Sequence, residues 1–311
     1  MLVLHPSPAE DVHELGPAVR ALRARWPDAR IVLCVAPAGE PVARLLPGAD
    51  EVVPLAGGLL RTGAALGRPR PDLALVPDLS LAARLLALRA GARQRVGPAR
   101  RDRGAPLLLR ALSAARRADA PSEDRSLFLA QPPAAAPPSE TPLVSLVPGA
   151  GPPTARWGVE KYALVASALA ARGATLAVLG QPGDAPLAAR LQELAGVNVA
   201  DLTALAPGAR LAALASSSLV VGGDVPLVHC GRALGRPTVV LFGPTDPMPH
   251  VFGPAALPIR LGIECQPCAE APPPRCPLGH LRCLNALAAL PVAEASAALL
   301  DAPAARRYGP A

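Results

Sequence analysis

The stretch Ser218–Pro247, SLVVGGDVPLVHCGRALGRPTVVLFGPTDP, leaves little freedom in what the chain can fold into. Two short runs rich in Val and Leu and bounded by glycine, Leu219–Val221 and Thr238–Phe242, have the length and unbroken apolarity of strands buried on both faces of a parallel sheet. Between them Pro226–Leu234 predicts a helix, stopped by Gly235 with Pro237 beyond it. Such a unit places Asp224 just past the carboxyl end of a strand, at the mouth of a helix. Open α/β sheets bind ligands there, and backbone N–H groups at the helix start favour phosphate. Taken singly, Asp224 reads first as a helix cap and His229 as a core histidine.

The same alternation runs through the rest of the chain. Strands are predicted at Met1–Leu4, Ile31–Val35, Glu51–Leu55 and Asp72–Pro77. Val12, Leu15, Val19 and Leu22 recur at helical spacing, and Pro27-Asp28 ends that helix; a second is expected at Val42–Leu46. QPPAAAPPSETP (Gln131–Pro142) is the one clear break in composition, Pro/Ala-rich and without periodicity, and reads as a semi-rigid linker. The βα pattern then restarts with PLVSLVPGAG, RWGVEKYALVASALAARG and ATLAVLG, and Pro291–Leu300 predicts a last helix. The domains expected are therefore 1–130, a linker at 131–142, 143–290, and a terminal helix and tail at 291–311. A chain of 311 residues with 51% apolar content suffices for two cores, which Leu, Val and Ala must fill because aromatics are only 2%.

Net charge is +7, which suggests anionic partners. Aromatic residues interleaved for base stacking are missing, as is any compact Lys/Arg tract, so nucleic acid is not an expected partner. The start, MLVLHPSPAEDVHEL, has no charged leader, and no run reaches the roughly 20 apolar residues of a membrane span. A cytoplasmic protein whose six cysteines stay mostly reduced is the expectation. Between Arg84 and Arg125 arginines are dense. Two readings fit them: a solvated helical face, or a basic wall that grips carboxylates and phosphates bidentately.

Several features occur together and in order: an aspartate, Asp11, opening the helix after the first strand; Arg156-Trp157 after the strand PLVSLV; Asp224 and His229; ALGRPTVVLFGPTDP; and ECQPCAEAPPPRCPLGHLRCLNAL with Cys265, Cys268, Cys276 and Cys283. Together they resemble glycosyltransferase family 9, the family of lipopolysaccharide heptosyltransferases. The resemblance implies a GT-B fold, two Rossmann-like doubly wound domains facing each other across a cleft. It also implies inverting transfer of a heptose-type sugar from an ADP-heptose-type nucleotide-sugar donor to an anionic lipopolysaccharide core, with no metal needed for transfer. Asp11 becomes the general base, its pKa expected to be raised by desolvation; the bottom-up alternative is an N-cap for the helix Val12–Leu22. Gly149, Gly151, Arg156, Trp157, Gly223, Asp224 and His229 become the donor-binding set. A cytoplasmic location follows, with the inner-membrane surface as a peripheral contact.

The chain departs from the family's pattern at positions that face substrate. Ala155 stands where the family has a lysine, Val225-Pro226 where it has Ser/Thr-Gly, and Glu10 where a glycine precedes the base. Val225 removes a hydroxyl donor and Pro226 a backbone N–H, although proline suits a helix's first turn. These changes supply the alternative reading, a catalytically inactive GT-B module that binds glycan or a partner. A nucleotide-sugar epimerase on the same fold is the other rival, and the cysteine cluster speaks against it. That cluster fits a structural zinc site, with His280 as a competing ligand, or a redox-active CxxC; the metal is left open. Cys34 and Cys230 read as ordinary buried thiols.

Overall fold

A computed structural model describes residues 1–6, 11–132, 141–149, 151–250, 252–269 and 272–302. Glu10, most of the expected linker (133–140) and the tail beyond 302 lie outside the described residues. The chain divides into two compact units, Met1–Ala130 and Gln131–Ala311.

The first unit contains β1 (Leu2–His5), α1 (Gly16–Arg25), β2 (Val32–Val35), α2 (Glu40–Ala43), β3 (Glu51–Pro54), α3 (Leu59–Leu66), β4 (Leu73–Leu75), α4 (Leu81–Arg89), β5 (Gln94–Val96) and α5 (Leu107–Arg117). Its five strands are all parallel and lie in the order β3-β2-β1-β4-β5. Every residue of β1 and β2 is buried, as the unbroken apolar runs predict. Leu2, Leu4, Val32 and Cys34 share one face with residues of α3 and α4, and α1 packs with α5. The predicted helix over 12–22 opens instead as a 3-10 turn, Asp11–Leu15, before the α-helix begins at Gly16 with Pro17 in its first turn. Likewise α2 starts before Val42, where Pro41 can open a helix, and Pro47-Gly48 (φ +93°) follows its end.

The second unit contains β6 (Leu143–Val147), α6 (Val159–Ala170), β7 (Thr175–Val178), α7 (Ala185–Ala195), β8 (Val199–Asp201), α8 (Pro207–Ala215), β9 (Leu219–Gly223), α9 (Pro226–Ala233), β10 (Thr238–Leu241), β11 (Ala256–Ile259), α10 (Arg282–Asn285) and α11 (Ala289–Asp301). Its six strands are again parallel, in the order β11-β10-β9-β6-β7-β8. One core joins α6, α7 and α11 to the strand residues Val144, Leu146, Leu176, Val178, Leu219, Val221, Val239 and Leu241. The edge strand β11, which no sequence signal marked, tolerates Pro258 because an edge has a free side.

In both sheets the chain winds one way and then the other. The order reverses between β1 and β4 in the first unit and between β6 and β9 in the second. At such a reversal the connecting helices leave on opposite faces, and a crevice opens at the carboxyl ends of the two strands. Those two crevices are where polar side chains gather. Among the described residues no helix is long and apolar enough to cross a membrane.

Candidate functional site

In the first unit, the crevice is built from the end of β1, the turn after it, and the loop after β4. His5 closes β1 and is only 2% exposed, with its ring between two carboxylates. Nε2 lies 2.9 Å from Asp11 Oδ1, and Nδ1 lies 3.3 Å from Asp78 Oδ2. Asp78 is held in turn. Its Oδ1 accepts the backbone N–H of Ser80 at 2.8 Å, and the Ser80 hydroxyl oxygen caps α4 by accepting from Ala83 N at 3.2 Å. The DLS run thus fixes a carboxylate and starts a helix in three residues.

The charges follow from this geometry. Burial opposes a charged imidazole, but bonds to Asp11 and Asp78 outweigh it and raise the His5 pKa to about 9. Burial would likewise raise the Asp11 carboxyl, yet the His5 imidazolium, helped by His13, brings it below its ordinary value. The expectation of an Asp11 raised by desolvation is therefore corrected: a buried cation at hydrogen-bond distance wins. Nor does Asp11 behave as a simple cap, since its side chain turns back to His5.

Asp78 also floors a cavity of about 300 Å³ at the carboxyl ends of β4 and β5. Arg84, Arg95, Arg103 and Arg117 line it, and among the described residues none of the four forms an ion pair. Arg117 Nη1 donates to Gly97 O at 2.7 Å, which pins one guanidinium at the cavity wall. Part of the dense arginine run is thus a basic pocket. Other members, such as Arg93 with Asp72 and Arg116 with Glu123, form ordinary exposed pairs.

In the second unit, the crevice lies at the ends of β6, β9 and β10. Asp224 follows β9 and is no cap, because Val225 holds the N-cap position of α9. Its Oδ1 accepts from His229 Nε2 at 2.7 Å and its Oδ2 from the Thr245 hydroxyl. Burial and Arg232 hold His229 below its ordinary pKa, so the ring is neutral and donates. Burial would raise Asp224, but the His229 and Thr245 bonds leave it lowered and ionised. His250 stacks on His229 at 4.5 Å and is pushed down to about 3 by burial, His229 and Arg232. Asp224, His229 and His250 offer ligand atoms within 4.8 Å of one another, but Arg232 Nη2, 3.3 Å from His250 Nδ1, sets a cation beside them that opposes a metal ion.

The loop after β6 comes up against Gly223 and Val225, which flank Asp224. A Cβ on Gly223 would come within 2.7 Å of Ala155 O, so the end of β9 and the Pro153–Ala155 turn approach backbone to backbone. Gly151 adopts φ +119°, which disfavours other residues, while Gly149 packs on Asp184, which a Cβ would overlap at 2.2 Å. Arg156 is exposed, its Nε donating to Gly151 O at 3.1 Å, so the guanidinium is held over this loop. Trp157 is a different case. It is 2% exposed, its indole N–H bonds Leu287 O at 3.0 Å, and its ring meets Tyr162 edge-on at 4.9 Å. It offers no face to a ligand and supports the loop from behind. Lys161 is also structural, donating to Leu284 O and Asn285 O at the end of α10.

The cysteine segment packs beside this crevice, with Cys268 N and Ala269 N both bonded to Pro244 O. Cys265, Cys268, Cys276, Cys283 and His280 line one small void of about 10 Å³. Backbone N–H groups of Leu281, Leu278, His280 and Gly279 converge on the Cys276 sulfur and outweigh burial, holding its thiol below the usual cysteine range. Cys268 and Cys283 are raised by burial and by the neighbouring thiols. The set fits a thiolate-bound ion in donor type, in the N–H groups around one sulfur, and in the shared void.

Residues 119–274, half of the chain, match the model of glycosyltransferase family 9 (heptosyltransferase). Lipooligosaccharide heptosyltransferase 2 of Haemophilus influenzae is 32% identical over 116 residues, which is 35% of this chain and 33% of that protein; the match spans about a third of the relative's length. Among solved structures, the Escherichia coli ADP-heptose lipopolysaccharide heptosyltransferase II superposes with a TM-score of 0.78 at 24% identity, covering 96% of this chain and 98% of that one. A family 9 glycosyltransferase from Veillonella parvula gives 0.79 at 16% identity, covering 96% of each chain. An E. coli heptosyltransferase solved with ADP gives 0.69 at 18% identity over 94% of this chain and 97% of that one. These likenesses show the fold to be GT-B.

The ionisation of His5 has a measurable signature. A raised folded-state pKa contributes stability that is complete below the ordinary value of 6.5 and lost as pH climbs through about 9. The lowered Asp11 pKa acts oppositely, contributing above 3.8 and losing its share as pH falls below that. The unfolding free-energy difference between wild type and His5→Gln should thus be largest between these limits. It should shrink by roughly 3 kcal/mol as pH passes from 6.5 to above 9. Chemical denaturation at a series of pH values measures it, and a constant difference would contradict a charged His5.

Proposed function

The chain belongs to glycosyltransferase family 9, the heptosyltransferase family, and from that premise we propose that it transfers a heptose-type sugar from an ADP-sugar to the acidic core of lipopolysaccharide. The observation that carries the reading is Asp11, an oriented and ionised carboxylate at the switch point of the first sheet. In the proposed reaction an acceptor hydroxyl oxygen attacks the anomeric carbon as the bond from that carbon to the diphosphate oxygen breaks. Asp11 takes the hydroxyl proton, and the electron pair leaves with ADP. Attack opposite the leaving group inverts the anomeric centre. A carboxylate below its ordinary pKa is a weak base but is ready at any neutral pH, and it can act as the attacking oxygen grows acidic in the transition state.

The donor half of the proposal falls to the second unit. The Gly149–Arg156 loop and the start of α9 would face the diphosphate, with the Arg156 guanidinium in place of the absent lysine. Asp224, tied to His229 and Thr245, sets the shape of that crevice, and with both oxygens engaged it acts as a framework for donor binding. On the acceptor side, Arg84, Arg95, Arg103 and Arg117 suit a carboxylate or phosphate. The reading places the protein on the cytoplasmic side, where nucleotide-sugars are found, with the inner-membrane surface as the place of its acceptor.

Zinc at the cysteine quartet is proposed as structural, outside the transfer chemistry. Purified protein should carry about one equivalent of metal, and strong chelators should lower its Tm by several degrees. Metal-free protein with an unmoved Tm would leave the quartet as packing thiols. For the base, Asp11→Asn keeps size and most hydrogen bonding but cannot accept a proton. Transfer should fall by about 10²–10⁴-fold while ADP affinity stays unchanged. Wild-type transfer by this variant would remove the assignment, and a wild type inert with every ADP-heptose and core acceptor would favour the inactive binding module.

A further inference from the structure

The first unit buries a histidine that the reaction above does not use. We propose that His5 is a positioning residue: anchored on Asp78, it holds Asp11 as an oriented carboxylate ready to accept a proton. The proposal rests on the reading of Asp11 as the base. It is carried by the double contact, 2.9 Å to Asp11 and 3.3 Å to Asp78, made by one ring that water scarcely reaches.

A histidine serving only to fill space or to bond one neighbour needs one polar partner. Here each ring nitrogen has a carboxylate, and the two carboxylates come from separate elements, the turn after β1 and the loop after β4. Nε2 is hydrogen-bonded to Asp11, while at Nδ1 the Asp78 oxygen stands 3.3 Å away in a charge contact that falls outside hydrogen-bond geometry. Two carboxylates this close to one buried ring favour its charged form. Two carboxylates and one imidazolium leave a net charge of −1 in a poorly hydrated place. A proton passed to Asp11 brings the group to zero, so Asp78 balances the imidazolium while Asp11 is neutral. The surrounding charges agree. Asp11 and Asp78 face His5, His13 acts on Asp11, and the cavity arginines Arg84, Arg95, Arg103 and Arg117 lie around Asp78. Ser80 N–H fixes Asp78, so the anchor is rigid.

The test is NMR titration of the whole chain, without substrate, following ¹⁵N-labelled imidazoles and ¹³C-labelled aspartate carboxyls. In wild type both His5 nitrogens should be protonated through neutral pH, and Asp11 should titrate below the usual carboxylate range. In His5→Gln the largest groups opposing burial are gone and only His13 and a backbone bond still lower Asp11, so its proton affinity should rise by about tenfold. Asp78→Asn leaves Asp11 untouched but removes the anchor, so the His5 midpoint should fall; this variant decides the matter if His5→Gln does not fold. A neutral His5 at pH 7, or an Asp11 midpoint unmoved in the folded variants, would overturn the proposal. Transfer assays separate it from the function itself. If wild type transfers sugar, the acid limb of its kcat/KM profile should move up with Asp11 in His5→Gln, and a fixed limb means that His5 merely packs. If wild type transfers nothing while the titrations come out as stated, the transferase reading fails and the hold of His5 on Asp11 stands.

Discussion

A parallel sheet whose strand order reverses cannot cover the gap between the two strands at the reversal. The chain must leave one over the front face and the other over the back, so the carboxyl ends between them stay open. Both units obey this constraint, at β1 and β4 and again at β6 and β9. Everything chemical in the molecule follows from it. Strand ends present backbone groups and short loops to the crevice, and buried strands behind them keep those loops in place. Asp11 and Asp78 reach one crevice from loops 67 positions apart, and Asp224 reaches the other directly from the end of its strand.

The two histidines beside these carboxylates show how local charge decides chemistry. His5 lies between two carboxylates and is a cation. His229 has one carboxylate, Asp224, and a guanidinium, Arg232, nearby; burial then prevails and the ring is neutral. Equivalent-looking Asp–His pairs are thus built for different tasks. The first stores a charge that can be balanced when a proton arrives, whereas the second is a rigid hydrogen-bonded frame. Behind the second crevice the Trp157 indole, bonded to Leu287, ties the loop before α6 to the segment before α11.

Much of this was legible in the residues. Short runs rich in Val and Leu marked β1, β2, β6, β9 and β10, and proline and glycine marked where α9 starts and stops. The ordering of Asp11, Arg156-Trp157, Asp224 and the cysteines carried the family. Four things were not legible. The His5–Asp11–Asp78 group is assembled by strand order, and no local pattern announces that β4 pairs with β1. The sign of the Asp11 shift depended on the cation that strand order supplied. Trp157 entered the donor-binding set through the family resemblance alone, while its burial depends on contact with Leu287, more than a hundred positions away. The edge strand β11 carries a proline, so its propensity argued against it and only pairing with β10 fixes it.

In the proposed reaction the second crevice holds the ADP part of the donor. Calorimetric titration of the whole chain with ADP and with UDP addresses it most directly, since neither acceptor nor sugar is required. Saturable ADP binding, weaker binding of UDP, and loss of ADP affinity in Arg156→Ala are the predicted results. A preference for UDP, or no heat from either nucleotide at millimolar concentration, would contradict the account.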